Sequence, residues 1–279
     1  MQDYSIIQNQ VSNSINIIAK ERTKRMKITF LGTGTSQGVP LIACNCQVCL
    51  SNNPKDKRLR SSIFIQDGDL NVVVDTGPDF RTQMLRENIQ DLSAVLFTHE
   101  HKDHTAGFDD VRAFNFKYNG RAVPIYLSEQ VEEALRRDFH YIFSNKAYPG
   151  IPIIKLNRID STPFKIKHLT FIPIELLHFK MPVLGFRINN FCYITDANQI
   201  EDKELEKLKN LDVLVINALR IEKHLSHFTL AEALDMINYL KPKQAYLTHI
   251  SHQLGKHNEV EKMLPKNVNL AYDGLKIEI

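Results

Sequence analysis

The stretch Thr98-His99-Glu100-His101-Lys102-Asp103-His104 decides the fold, and it follows directly on the apolar run at 92–97. Its first two histidines are two positions apart, so in an extended chain their side chains project to the same side. The Asp-His pair at its end comes where the pattern predicts a turn into a helix, and it can face a second, nearby point. Imidazole and carboxylate groups at this density suit zinc, manganese or iron. The stretch therefore predicts a metal site rather than a polar turn that contains histidines by chance.

Four more apolar runs end in a carboxylate or an imidazole. The residues concerned are Asp75, His178, Asp196 and His249. Each alone is weak evidence, because an Asp that follows a strand is more often a turn or cap residue than a ligand. Together with the first stretch they mark five strand ends in one sheet system. The conjunction predicts ligands for two metals.

The cysteines form a second pattern. Cys44, Cys46 and Cys49 fall within six positions, and in a reducing compartment such crowding indicates metal binding rather than disulfides. Cys192 stands alone in an apolar run and is expected to be a buried strand residue.

Length and composition limit the class of protein. The chain has 279 residues, 43% of them hydrophobic, which suits one domain. The net charge of +3 (35 basic against 32 acidic residues) is too small to indicate a nucleic-acid partner. We find no apolar run long enough to span a membrane and no signal-peptide pattern, and therefore expect a cytoplasmic protein. Residues 1–25 are expected to be an N-terminal extension, either a loose segment or the product of a misplaced start, and residues 26–279 the folded domain.

Apolar strand-like runs alternate with helical patterns over most of the chain. Many strands with helices outside them predict an α/β fold in which two mixed β-sheets are flanked by helices, a four-layer αββα sandwich. Gly32, Gly34 and Gly38 could be mistaken for a dinucleotide-binding loop. Their spacing is wrong for one, and Val39-Pro40 follows where a helix would have to begin.

The Asp and His residues resemble, in order, the signature of the metallo-β-lactamase fold superfamily over residues 26–279. The resemblance implies a dinuclear site with the fold named above. One metal would be bound by His99, His101 and His178. The other would be bound by Asp103, His104 and His249, with Asp196 bridging the two. Asp75 would orient the ligand loop. Asp75, through that role, and Asp103, as a metal ligand, are both expected to be needed for catalysis.

Two further motifs narrow the resemblance. The first motif is Phe30-Leu31-Gly32-Thr33-Gly34-Thr35-Ser36-Gln37-Gly38-Val39-Pro40 with the cysteines that follow it, and the second is Leu247-Thr248-His249-Ile250-Ser251-His252-Gln253. Together they look like the phosphoribosyl cyclic phosphodiesterases of the carbon–phosphorus lyase pathway. That family implies a structural zinc on Cys44, Cys46, Cys49 and His252. Three thiolates and one imidazole also make a closed tetrahedral zinc site. His227 would be the catalytic general acid, although His224 stands only three residues away.

The resemblance implies a phosphodiesterase with two active-site divalent metals, Mn²⁺ or Zn²⁺. A hydroxide bridging the metals would attack the phosphorus, and the substrate would be 5-phosphoribosyl 1,2-cyclic phosphate or a related small ribose cyclic phosphate. Lys57, Arg58 and Arg60 are candidates to hold a terminal phosphate.

Alternative functions remain open. One is a transfer-RNA 3′-processing endonuclease, which would need an RNA-binding arm and a basic face. Another is a phosphodiesterase of different small-molecule specificity. A non-hydrolytic role like that of the pyrroloquinoline-quinone biosynthesis protein predicts missing metal ligands, whereas here the set is complete. The expected partner is a small phosphorylated ribose-type molecule, with no membrane and no nucleic acid. A homodimer is one assembly open to the chain.

Overall fold

The computed structural model describes residues 25–144 and 149–279. The expected N-terminal extension lies outside the described residues, apart from Arg25. Within the described ranges, no helix has the length and apolar character needed to cross a bilayer.

A seven-stranded sheet holds most of the N-terminal half of the described chain. Its strands are β1 (Lys27–Gly32), β2 (Ser62–Asp67), β3 (Leu70–Val74), β4 (Ala94–Leu96), β5 (Val123–Leu127), β6 (Ile154–Arg158) and the late strand β15 (Lys276–Glu278). Their order across the sheet is β15-β1-β2-β3-β4-β5-β6, and the pairs from β3 to β6 are parallel.

The second sheet is built from the following part of the chain. Its strands are β7 (Phe164–Ile166), β8 (Leu169–His178), β9 (Met181–Ile188), β10 (Phe191–Tyr193), β11 (Gln199–Ile200), β12 (Val213–Asn217), β13 (Gln244–Thr248) and β14 (Val268–Leu270). The order is β11-β8-β9-β10-β12-β13-β14, with β7 paired to β8. The pairs from β10 to β14 are parallel, so each sheet has a parallel part whose strands end on one edge.

Seven α-helices surround the sheets in the described residues. They are α1 (Phe80–Arg86), α2 (Lys102–Thr105), α3 (Arg112–Lys117), α4 (Glu129–Asp138), α5 (Asp202–Leu205), α6 (Leu230–Leu240) and α7 (His257–Glu261). Ser128 caps α4, because its side chain accepts a hydrogen bond from the Val131 N–H. Thr229 and Glu232 form a capping box at the start of α6.

Three apolar cores hold the layers together. One lies between the sheets and contains Phe30 and Phe171, both fully buried. A second packs the helix α6 on the second sheet, and a third packs α1, α3 and α4 on the first sheet. The four-layer αββα sandwich predicted from the sequence is confirmed.

Two elements are short. The apolar run at 92–97 is a strand only over Ala94–Leu96, and the Thr98 N–H donates to the Asp75 carboxylate instead of continuing the ladder. Helix α5 is followed directly by a 3₁₀ turn at Glu206–Leu208.

Candidate metal centre

The candidate site lies where strands of both sheets end. Asp75 follows β3, Asp196 comes shortly after β10 and His249 follows β13. All three have a positive φ, at 66°, 55° and 54° respectively. Non-glycine residues rarely adopt this conformation, and it clusters at functional sites where the surrounding structure enforces it. The strain turns three polar side chains toward one point.

Asp75 is the centre of a buried hydrogen-bond network. Its Oδ1 accepts the Thr98 N–H at 2.9 Å, and its Oδ2 accepts the Thr98 hydroxyl at 2.8 Å. The same Oδ2 lies 2.7 Å from His104 Nδ1. Burial raises the pKa of Asp75, and His104 and the Thr98 donors oppose that rise. The carboxylate fixes the His104 ring so that its Nε2 points into the site, which is the expected orienting role.

Four ligand-type side chains form what we call the buried cluster: Asp103, His104, Asp196 and His249. One nitrogen or oxygen atom of each lies within 4.8 Å of the others. Asp103 Oδ2 and Asp196 Oδ2 are 3.1 and 3.2 Å from His104 Nε2, and Asp196 Oδ2 is 3.1 Å from His249 Nδ1. The members of the buried cluster are the residues expected to bind the second metal.

The residues expected to bind the first metal are neighbours, but they pack less tightly. The rings of His99 and His101 have centroids 4.8 Å apart, and both lie within 5.8 Å of the His178 ring. His178, Asp196 and His227 form a further group whose ligand atoms lie within 4.8 Å of one another. His101 is exposed, while His99 is buried. Asp196 thus belongs to both groups, which is the position a bridging residue needs.

The buried side chains fit metal ions chemically. His99 Nε2 and His104 Nε2 are buried without a hydrogen-bond partner, while the Nδ1 atom of each ring is held by Thr98 or Asp75. Burial lowers the pKa of His99 and takes that of His249 to about 3, so both rings are neutral and can donate a lone pair. Although burial opposes it, Asp103, Asp196 and Asp75 raise the pKa of His104, so the buried carboxylates favour a positive charge at this point, which a bound cation would supply in place of the ring proton.

His227 lies beside the bridging carboxylate. Its Nε2 is 3.1 Å from Asp196 Oδ1, and its Nδ1 is 3.1 Å from His224 Nδ1. The Ser226 N–H donates to that His224 nitrogen at 3.3 Å, so His224 acts there as an acceptor. The Ser226 hydroxyl also lies 3.1 Å from His227 Nδ1, so Ser226 and His224 both contact that nitrogen. The sequence treated His224 as a rival of His227, and in the structure the two rings are in contact, with centroids 5.0 Å apart.

The three clustered cysteines and His252 form the cysteine cluster. Their ligand atoms lie within 4.8 Å of one another, and His252 Nδ1 is 3.4 Å from Cys44 Sγ and 3.3 Å from Cys46 Sγ. The Cys49 N–H and His252 lower the pKa of Cys46 to about 6, whereas burial raises that of Cys49 to about 11. A bound cation would hold both as thiolates. Cys192 is buried in β10, as expected.

Two asparagines with structural roles at the site were not predicted. Asn217, at the end of β12, accepts the Ala197 N–H and donates to the Ala197 carbonyl, both at 2.9 Å. This pair fixes the backbone next to Asp196. Asn198 Oδ1 accepts the Phe179 N–H at 2.6 Å, next to His178. A polar residue ending the apolar run 213–216 is the one sequence signal that pointed to Asn217.

The suggestion that Arg58 binds a terminal phosphate is wrong. Its guanidinium is buried and donates to the Thr33 hydroxyl and the Ala271 carbonyl, and it contacts His257 Nδ1 at 3.1 Å. Lys57 donates to the Cys49 carbonyl. Arg60 pairs with the Asp79 carboxylate at 3.3 Å. Arg58 thus joins the loop that carries Cys44, Cys46 and Cys49 (the cysteine loop) to the C-terminal part of the chain.

The glycine run serves close packing of the backbone. The Gly34 N–H donates to the Leu59 carbonyl, and the Ile250 N–H donates to the Thr33 carbonyl. A Cβ atom on Gly32 would lie 1.9 Å from the Arg60 carbonyl oxygen, so only glycine allows this approach.

Comparison with known proteins defines the class. The model of the beta-lactamase superfamily domain matches residues 70–250, which is more than half of the chain. A diphosphatase of the PhnP family, known from its crystal structure, is 40% identical with a TM-score of 0.86, over 91% of this chain and 97% of that one. The chain therefore belongs to the metallo-β-lactamase fold superfamily and, within it, to the PhnP family.

Two other relatives are informative in different ways. An octanoyltransferase of Porphyromonas gingivalis is 39% identical over 254 residues, which are 90% of this chain and 51% of that protein. The chain thus spans about half the length of that relative. The short form of human tRNase Z matches with a TM-score of 0.67 at 17% identity, over 90% of this chain and 98% of that one. At that identity the likeness shows the fold alone.

Proposed function

We propose that the chain is a dinuclear metal phosphodiesterase that opens a small ribose cyclic phosphate. The observation that carries the proposal is the sharing of Asp196 between two ligand groups, the buried cluster and the group with His178 and His227. Membership of the PhnP family and the diphosphatase relative support phosphorus chemistry at this site.

The residues that would hold the metals are those set out above. His99, His101 and His178 would bind one ion, Asp103, His104 and His249 the other, and Asp196 both. Such a pair of divalent ions polarises a phosphate and supplies a nucleophile from water at neutral pH. Both Mn²⁺ and Zn²⁺ suit imidazole and carboxylate ligands.

The chain itself supplies orientation and a proton. Asp75 fixes His104 through Nδ1, and the Ser226 carbonyl fixes His178 through Nδ1 at 2.8 Å. His227 is the general acid, because its Nε2 faces the shared carboxylate while its Nδ1 bonds to His224. As a water oxygen bonds to phosphorus, the ribose oxygen leaves and takes the proton of His227.

The cysteine cluster has a different proposed role. Cys44, Cys46, Cys49 and His252 would bind one structural zinc, which leaves no open position for a substrate. The zinc would connect the cysteine loop to the segment that follows His249. Cysteines that are not joined in disulfides suit the cytoplasmic location expected from the sequence. That location and the homodimer both stay predictions.

The test is a panel of phosphate substrates. The purified protein, loaded in turn with Mn²⁺ and Zn²⁺, is assayed on 5-phosphoribosyl 1,2-cyclic phosphate, nucleoside 2′,3′-cyclic phosphates, bis(p-nitrophenyl) phosphate and a precursor transfer RNA. We expect turnover of the small cyclic phosphates and none of the RNA. Cleavage of the RNA alone would overturn the proposal.

A diphosphatase is the second candidate, because the PhnP-family relative with 40% identity is one. A phosphoanhydride has a phosphate leaving group that needs little protonation, so His227 would matter less there. Inorganic pyrophosphate and a nucleoside diphosphate added to the same panel separate the two functions. Preference for an anhydride over every cyclic ester would favour the diphosphatase.

A further inference from the structure

A cavity of about 600 Å³ opens beside the metal centre. Its lining includes His101 and His178 of the metal centre and the exposed side chains of Phe179, Lys180 and Leu225, which define its mouth. One wall is the turn between β8 and β9, and the other is the loop that carries His227. The two walls are fixed to each other, since His178 Nδ1 donates to the Ser226 carbonyl at 2.8 Å.

Phe179 is an unusual residue for its place in this turn. Its φ is 59°, a region that bulky side chains rarely adopt and that glycine or asparagine would fill more easily. The Phe179 N–H bond to Asn198 holds the conformation at 2.6 Å. The side chain is 44% exposed, so the fold does not use the ring as core. An exposed aromatic ring in a strained turn beside a metal centre indicates a ligand contact.

The other groups at the mouth complement the ring. The Leu225 side chain is 67% exposed on the opposite wall. Lys180 is the one lysine or arginine among the described residues that line the cavity, and its Nζ lies 5.4 Å from the centre of the Phe179 ring. Its flexible stem allows the ammonium to leave the ring for a ligand phosphate. An aromatic face, an apolar side chain and a mobile cation together suit a nucleotide.

We propose that Phe179 is a specificity-determining residue that stacks on the nucleobase of the substrate. The inference rests on the proposed function and selects, among ribose cyclic phosphates, those that carry a base. Phe179 touches the base and not the reacting phosphate. It therefore sets the preference between substrates rather than the chemistry at phosphorus.

The decisive variant is Phe179→Asn, because asparagine tolerates the positive φ and removes only the ring. Phe179→Tyr restores a ring and serves as the rescue. Phe116→Ala is the matched control, since Phe116 is 63% exposed on α3 and does not line the cavity. The kcat/KM for a nucleoside 2′,3′-cyclic phosphate is divided by that for 5-phosphoribosyl 1,2-cyclic phosphate. Calorimetry on the metal-loaded protein measures binding of a nucleoside 3′-phosphate and of ribose 5-phosphate.

We expect Phe179→Asn to lower the ratio by about 10-fold or more, the size of one lost base stack. Nucleoside 3′-phosphate binding should weaken to a similar degree, Phe179→Tyr should recover both, and Phe116→Ala should change neither. An unchanged ratio, or equal losses on both substrates, would overturn the role of Phe179 while the phosphodiesterase stands. If the wild-type protein opens neither cyclic phosphate, the proposed function fails, and calorimetry still decides whether Phe179 binds the base.

Discussion

The buried cluster and the cysteine cluster are both candidate metal sites, but they differ in their ligands and in their surroundings: carboxylates and imidazoles form the first, three thiols and one imidazole the second. The members of the buried cluster lie at strand ends or within α2, and His104 and His249 are fully buried. The cysteine cluster lies on two loops, and three of its four side chains are only half-buried. Sheets give rigid, strained positions that aim side chains at a reacting group. Loops give a flexible ligand set that a metal can pull together.

Two histidines close together in the sequence belong to different clusters. His249 and His252 are three residues apart, yet the first belongs to the buried cluster and the second to the cysteine cluster. Between them, the Ile250 N–H donates to the Thr33 carbonyl, and the Thr35 N–H donates to the Ile250 carbonyl. The cysteine loop therefore borders the active-site edge. The difference between the clusters predicts that one set of changes removes activity and the other removes stability.

Loss of the shared carboxylate should have the largest effect. Asp196→Ala should lower active-site metal content and reduce turnover by more than about 10- to 100-fold, which is the loss typical of replacing a residue that only hydrogen-bonds to a metal ligand. Asp69→Ala, at an exposed ion pair with Lys167, is the control. Metal content and turnover are measured on both variants. Near-normal turnover with full metal content in Asp196→Ala would remove the bridging assignment.

Loss of the general acid should have a selective effect. His227→Ala should slow the opening of a ribose cyclic phosphate by about 10²- to 10⁴-fold, because an alkoxide leaving group needs a proton. A p-nitrophenyl ester should lose much less, since its leaving group is stable without one.

His168→Ala, at an exposed contact with Asp67, is the control for that substitution. Parallel rate measurements on the two esters give the comparison. Equal losses on both esters, or a loss that appears only on changing His224, would reject the role of His227.

The Asp75 network should have a smaller effect. Asp75→Asn keeps the shape but replaces an acceptor of the His104 hydrogen bond with an amide. Metal affinity or activity should fall by about 10- to 100-fold, as for other partners of ligand histidines. A metal titration followed by activity measures it, with Asp160→Asn as an exposed control. Unchanged affinity would show that the Asp75 bond does not orient the ring.

Much of the fold and site could be predicted from the sequence, for a physical reason. Strand ends in a parallel sheet share one edge, so polar residues that close apolar runs converge there, as Asp75, Asp196 and His249 do. The ligand roles themselves stay predictions. The contacts of His224 and Asn217 could not be predicted from the sequence. Those of Asn217 join segments distant in sequence, and that of His224 depends on ring orientation. Arg58 was misread because charge alone does not reveal burial.

His249 and His252, the two histidines near the C-terminus, are proposed to serve separate metal sites. His249→Ala, His252→Ala and Cys46→Ser are compared with wild type by metal content from mass spectrometry, melting temperature and turnover. His252→Ala and Cys46→Ser should each lose about one zinc per chain, because each removes a proposed zinc ligand. Their stability should fall as well, since structural zinc contributes directly to folding. A loss of about 3 kcal/mol would lower their melting temperature by about 6–12 °C, with turnover kept where they stay folded.

His249→Ala should behave in the opposite way, losing turnover while the cysteine-bound zinc stays. His140→Ala, a surface substitution outside both clusters, is the control. We expect the two histidine substitutions to give these opposite results. Abolished turnover in His252→Ala, with zinc content and melting temperature unchanged, would contradict it.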